Sequence, residues 1–218
     1  MARYFTEREV RGALMACNEQ SNWDTSALEQ LLEQGWDINE NYGHPGDALV
    51  MAVGPDGLPL VEFLLGHGAD PNRNLWGMTH SPLELAAVAD VQLGIFSALL
   101  NHGAEVQNRS VLLNAASKGR IDMLELVLLR AGKDAAALVN ALPDNEEVYE
   151  NAYTRLDWGT PLHGAAANGQ SETVEWLLRQ GAFPDIKNYL GFTPKEVAAK
   201  QGHLECEKLL ESAAGNRE

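Results

Sequence analysis

Two histidines stand in turn sequences where an imidazole can titrate. His44 lies in Gly43-His44-Pro45-Gly46-Asp47 and His80 in Gly77-Met78-Thr79-His80-Ser81. Imidazole changes charge near neutral pH, so such a pair suits general acid–base proton transfer. If the chain is an enzyme, its chemistry is metal-free acid–base work of isomerase, cyclase or dehydratase type, with these two as the candidate catalytic residues. Other chemistries lack their sequences. There is no H-E-x-x-H and no C-x-x-C pair for zinc. No glycine-rich phosphate cradle opens a helix, and no G-x-S-x-G elbow presents a nucleophile. Neither a metal nor an organic cofactor is expected.

A second group of side chains suits contact rather than catalysis. Tyr42, Trp76 and Trp158 each precede a glycine (Gly43, Gly77, Gly159), and Tyr189 lies two residues before Gly191. Tyrosine and tryptophan are favoured interface anchors because each brings a large rigid surface with a polar edge. The stretch 141–156 adds Glu146, Glu147, Tyr149 and Tyr153. Arg73 completes the set of candidate partner-binding or ligand-binding residues.

Charge narrows what such a surface would meet. Across 218 residues, 31 acidic side chains face 16 basic ones, a net charge of −15. No lysine–arginine cluster offsets it, which disfavours the phosphate backbone of nucleic acid and anionic membrane surfaces. A protein partner with a basic or mixed surface, or a small organic ligand, fits better. No apolar run approaches the ~18 residues of a membrane span. The N-terminal sequence is charged and lacks the apolar stretch of a signal peptide. Cys17 and Cys206 lie near opposite ends, too far apart in a linear array for a disulfide. These features point to a monomer in a reducing compartment, cytoplasmic or nuclear.

The elements that position these residues come from an internal repeat. Thr160-Pro161-Leu162-His163-Gly164-Ala165-Ala166 is echoed 33 residues later by Thr193-Pro194-Lys195-Glu196-Val197-Ala198-Ala199. A glycine follows each threonine by nine residues, Gly169 and Gly202. Upstream, Gly35, Gly68, Gly103, Gly132 and Gly181 each close a leucine-rich stretch. Gly132 and Gly181 are 49 residues apart, 16 more than one period. Apolar residues at three-to-four spacing, as in Val174, Leu177 and Leu178, mark a helix with one buried face.

This period and these words resemble the ankyrin repeat, with T-P-L-H-x-A-A opening a first helix and L-L-x-x-G-A-D closing a second. The resemblance implies an all-α repeat solenoid of about six helix–turn–helix units joined by short hairpin loops. The expected boundaries within a single domain 1–218 are 5–39, 40–72, 73–107, 108–140, 157–185 and 186–214, with an acidic, tyrosine-bearing insertion at 141–156. Within that pattern His163 is structural, and His67, His102 and His203 fall at common family positions. The implied function is recognition of a protein partner through the concave hairpin and inner-helix surface. The competing reading is a small-molecule pocket or enzyme site in the same groove. It requires a closed cavity of roughly 300–1,000 Å³ around His44 or His80.

Overall fold

The computed structural model describes residues 4–18, 24–43, 46–73, 81–89, 91–106, 109–143 and 158–215. Every regular element among them is helical. The chain divides into two compact units, Met1–Glu105 and Val106–Glu218. No helix among the described residues is long and apolar enough to cross a membrane.

The first unit holds three helical pairs: α1 (Glu7–Asn18) with α2 (Ser26–Glu33), α3 (Ala48–Ala52) with α4 (Leu58–Gly66), and α5 (Pro82–Val88) with α6 (Leu93–Asn101). First helices pack on first helices, α1 on α3 and α3 on α5, while α4 packs on α6. The second unit repeats the scheme. Its pairs are α7 (Arg109–Ser117) with α8 (Ile121–Ala131), α10 (Pro161–Ala167) with α11 (Ser171–Arg179), and α12 (Pro194–Gln201) with α13 (Leu204–Gly215). A single 3₁₀ turn (Gly132–Asp134) and the short α9 (Ala135–Val139) follow α8.

The helices start where the residues dictate. Ser81 and Thr193 each accept the backbone N–H three residues on, and Glu84 and Glu196 reach back to the cap's own N–H. Proline follows each cap at the first helical position, where a missing donor costs nothing. At Thr160 the reciprocal group is His163: its Nδ1 accepts from the Thr160 N–H at 3.1 Å and from the hydroxyl at 2.8 Å. Its Nε2–H then donates to the Phe192 carbonyl at 2.9 Å, tying α10 to the hairpin before α12.

No pair could bury its own apolar stripe, so the core forms between pairs. Leu28, Leu49, Leu64, Leu83, Ile95, Phe96 and Leu99 are fully buried in the first unit. Leu112, Met123, Leu124, Leu162 and Leu177 are fully buried in the second. Each such side chain contributes about 1.5–3 kcal/mol relative to exposure. Small residues set the spacing. A Cβ added at Gly164 would lie 2.5 Å from Ser117 Oγ and 2.7 Å from Leu113 Cδ1, so α10 rests directly on α7.

Side-chain-to-backbone bonds at one-period separation stitch both edges of the stack. At the hairpin edge one asparagine amide grips the following pair twice. Asn39 Nδ2 donates to the Gly68 carbonyl (3.1 Å) while its Oδ1 accepts the Asp70 N–H (2.8 Å). Asn72 does the same with Gly103 (2.9 Å) and Glu105 (2.7 Å). Asn140 does so with Gly181 (3.1 Å) and Phe183 (2.7 Å). The gripped carbonyls belong to glycines that end the second helices with φ near +90°, a conformation that other residues adopt only with strain. At the opposite edge Gln170 Nε2 donates to the Ser117 carbonyl, and His203 Nε2 bonds that of Ala167.

These grips locate the sixteen extra residues between Gly132 and Gly181. Asn39 follows Gly35 by four positions, whereas Asn140 follows Gly132 by eight. Asn39 precedes Gly68 by 29 positions, whereas Asn140 precedes Gly181 by 41. Four extra residues therefore lie before the grip, where the chain forms α9. Twelve lie after it, and the segment 144–157 falls outside the described residues. The expected insertion at 141–156 thus accounts for only part of the surplus.

Gly164→Ala should cost about 1–3 kcal/mol by overpacking α10 against α7, measured by urea unfolding. Asn72→Ala should cost about 1–2 kcal/mol through its two lost bonds. Asn72→Asp should recover part of that loss, because a carboxylate still accepts from Glu105 N–H. Equal losses for the two Asn72 variants would remove the grip from the account.

Candidate functional site

Two of the described aromatic candidates, Tyr42 and Tyr189, are held by polar bonds to their own surroundings. Tyr42 is half-buried. Its hydroxyl accepts from Trp36 Nε1–H at 2.8 Å and donates to Glu40 Oε2 at 3.2 Å, and its backbone N–H bonds the Gly46 carbonyl. Burial, with Glu40 and Asp37 adding negative charge, pushes the phenol up to about 12 against the pull of the Trp36 bond. Tyr42 therefore joins buried Trp36 to the hairpin, and only its remaining ring surface is available for contact.

Tyr189 and Trp158 bracket the insertion. The Tyr189 hydroxyl donates to the carbonyl of Pro143, the last described residue before the insertion. Asn188 is buried and shapes this hairpin: its Oδ1 accepts from both the Leu190 and Phe192 N–H at 3.0 Å. On the return side, a Cβ on Gly159 would lie within 3 Å of both His163 and Asn188. Both ends of the segment 144–157 are thus anchored on the hairpin formed by residues 186–193. Trp158, the first described residue after it, is half-buried, and its indole N–H is buried without an acceptor among the described residues.

Arg73 lies close enough to Asp47 to act on it electrostatically. Asp47 is the residue that sequence reasoning passed over. It stands where the repeat has serine or threonine, and it caps α3 by accepting the Val50 N–H at 2.9 Å. The residue is 1% exposed, and its other oxygen, Oδ2, has no partner among the described residues. Burial pushes the carboxyl above its ordinary range, opposed by the Val50 N–H and by Arg73. The available signal was an ionisable side chain at a capping position that neutral hydroxyls fill elsewhere.

Trp76, His44, His80, Glu146, Glu147, Tyr149 and Tyr153 lie outside the described residues. Two open recesses occur among the described ones. One, of about 490 Å³, lies in the first unit and includes Met15, Met51 and Pro55. The other, of about 520 Å³, lies in the second unit among Leu128, Leu129, Ala136, Val139 and Trp176. Neither recess is lined by a histidine or by any of the candidate contact residues.

If Tyr42 were only a surface anchor, replacing its hydroxyl would change stability by less than about 0.5 kcal/mol. The bond to Trp36 leads us to expect that Tyr42→Phe costs about 1–2 kcal/mol in urea unfolding, because a largely buried indole N–H loses its acceptor.

Residues 112–216 match the family described as ankyrin repeats (3 copies). The human Espin-like protein is 38% identical over 61 residues, 28% of this chain and 6% of that protein. The chain spans between 6% and 14% of the length of the curated relatives it matches. An ankyrin repeat domain from Acinetobacter baumannii AYE superimposes with a TM-score of 0.68 at 26% identity, covering 93% of this chain and 97% of that one. The human ASB11 ankyrin repeat domain gives the same TM-score at 22% identity, covering 95% and 81%. Repeat words, paired helices and these likenesses agree that residues 112–216 are ankyrin repeats and that the chain has the fold of ankyrin-repeat domains.

Proposed function

We propose that the chain is a protein-binding module whose recognition element is the hairpin edge of the second unit together with the insertion at 144–157. The observation that supports this reading is the anchoring of that insertion at both ends. Asn140 grips Gly181 and Phe183 before it, the Tyr189 hydroxyl holds Pro143 at its entry, and His163 ties α10 to Phe192 after it. α10 packs on α7, so the helical stack continues across this junction. The inner helix offers little alternative there, since every residue from Pro161 to Ala167 is buried.

Ankyrin-repeat domains generally mediate contact between proteins, and the partner's chemistry follows from charge. A module of net charge −15 whose insertion contains Asp144, Glu146, Glu147 and Glu150 selects a basic or mixed protein surface. Tyr149 and Tyr153 supply the rings for a contact of that kind. The module acts as a monomer in the cytoplasm or nucleus, in keeping with two buried free cysteines.

The repeat register supplies the test. Asp47 follows Asn39 by eight residues and Thr160 follows Asn140 by twenty, so removing twelve residues from 144–157 restores the shorter spacing. The shortened chain should unfold within about 1 kcal/mol of the parent, since loop length alone changes closure entropy little. Partners would be selected on the intact chain from a displayed library of basic peptides, and affinity measured by calorimetry. We expect at least a tenfold loss on shortening, and an affinity for the intact chain that falls with salt. Equal affinity for both chains would exclude the insertion.

A further inference from the structure

Two buried ionisable side chains at the starts of first helices, Asp47 in the first unit and His163 in the second, are built to respond to acid in opposite directions, while the buried Glu84 is bonded to the Ser81 N–H. We infer that acidification weakens the second unit through His163 and strengthens the first through Asp47, making the relative stability of the two units pH-dependent.

The geometry at His163 admits one protonation state. Its Nδ1 accepts from the Thr160 N–H and hydroxyl, so it carries no proton, and its Nε2–H donates to the Phe192 carbonyl. A second proton would set an Nδ1–H against the Thr160 N–H, breaking the cap of α10 with no water to compensate, as the residue is 0% exposed. Thr160 and the carbonyl are its neutral neighbours. α11 carries Glu172, Glu175 and Arg179, α12 carries Lys195, Glu196 and Lys200, and α7 carries Lys118 at its end, but none acts on the ring: burial alone holds it down to about 4.

Asp47 has the opposite fault. One oxygen is committed to Val50, the Leu49 N–H also favours the ion, and Oδ2 is buried with no partner among the described residues. Ser81 and Thr193 cap their helices with a neutral hydroxyl, and the buried carboxylate in the Ser81 cap, Glu84, accepts the Ser81 N–H. The groups acting on Asp47 are Arg73, which favours the ion, and Asp70, which opposes it. Among the helices packed on α3, Glu84 of α5 is committed to its own cap, α4 carries Glu62, and α1 carries Glu7, Arg8, Glu9 and Arg11, with Arg11 paired to Glu7. Protonation removes the buried charge and leaves the bond to Val50 in place.

The signs follow from linkage. His163 is depressed in the folded state, so its stabilisation is complete above the ordinary value of 6.5 and is lost as pH falls toward 4. Asp47 is raised, so the folded state binds a proton more readily than the unfolded chain. Its penalty is full at neutral pH and is relieved as pH falls toward the ordinary carboxyl value of 3.8.

Hydrogen exchange of the intact chain, resolved by peptide and corrected for the intrinsic pH dependence of exchange, reads the two units separately. Between pH 7.5 and pH 5, protection in α10 and α12 should fall about 30-fold from His163 alone. That fall should disappear in His163→Gln. Protection in α3 and α4 of wild type relative to Asp47→Ser and Asp47→Asn should rise as pH is lowered further toward 3.8. If His163→Gln does not fold, NMR titration of wild type decides, with the His163 ring expected in its Nε2–H form with a midpoint near 4 and the Asp47 carboxyl carbon with a midpoint above 3.8. A His163 midpoint near 6.5, an Asp47 midpoint at or below 3.8, or protection in wild type and variants that changes in parallel would overturn the inference.

Discussion

A primary amide accepts a hydrogen bond at one atom and donates from another, the two held apart in a fixed plane. At three positions in this chain it does both to consecutive helical pairs. Asn39, Asn72 and Asn140 each take the carbonyl of a turn glycine and the N–H two residues beyond it. Those backbone groups lie in the turn just beyond the end of the second helix, outside its intrahelical ladder. Apolar burial draws neighbouring pairs together but is non-directional, and a leucine stripe tolerates sliding. The amide does not, because its two bonds close only at one offset. Burial supplies most of the energy, and the asparagine fixes the register in which that energy is gained.

Much of this was legible in the residues. The capping threonines and the prolines after them, the paired alanines, the turn glycines and the 33-residue period all carry backbone consequences that hold in isolation, and they specified the paired helices. His163 could also be placed, because its ring serves the same cap. The asparagine grips were less visible. An asparagine in a loop fits many local turns, and only the coordinates show that Asn39 reaches a pair 29 residues on. α9 was missed for a related reason. Ala135-Ala136-Ala137-Leu138 has strong helical propensity but no caps or period of its own, so it was absorbed into the fourth repeat, 108–140.

The candidate contact residues divide along the same line. Ring-bearing side chains beside turn glycines stood out by type and spacing, but type does not reveal what a hydroxyl or indole N–H is bonded to. Tyr42 is committed to Trp36 and Glu40, and Tyr189 to Pro143. Asp47 went unremarked as a candidate because a carboxylate is an ordinary helix cap. What sets it apart is burial, a property of the stack and not of the local sequence.

The grip formed by Asn140 also says why a long excursion is tolerated at this junction. Joining two points on a flexible chain loses entropy only as the logarithm of the intervening length. Lengthening the link from the gripping asparagine to the next first-helix cap from 8 residues to 20 adds about 0.8 kcal/mol, comparable to one hydrogen bond. With the helices on either side held, the segment 144–157 can lengthen, shorten or change composition across generations at a small entropic cost, leaving natural selection free to act on whatever it touches.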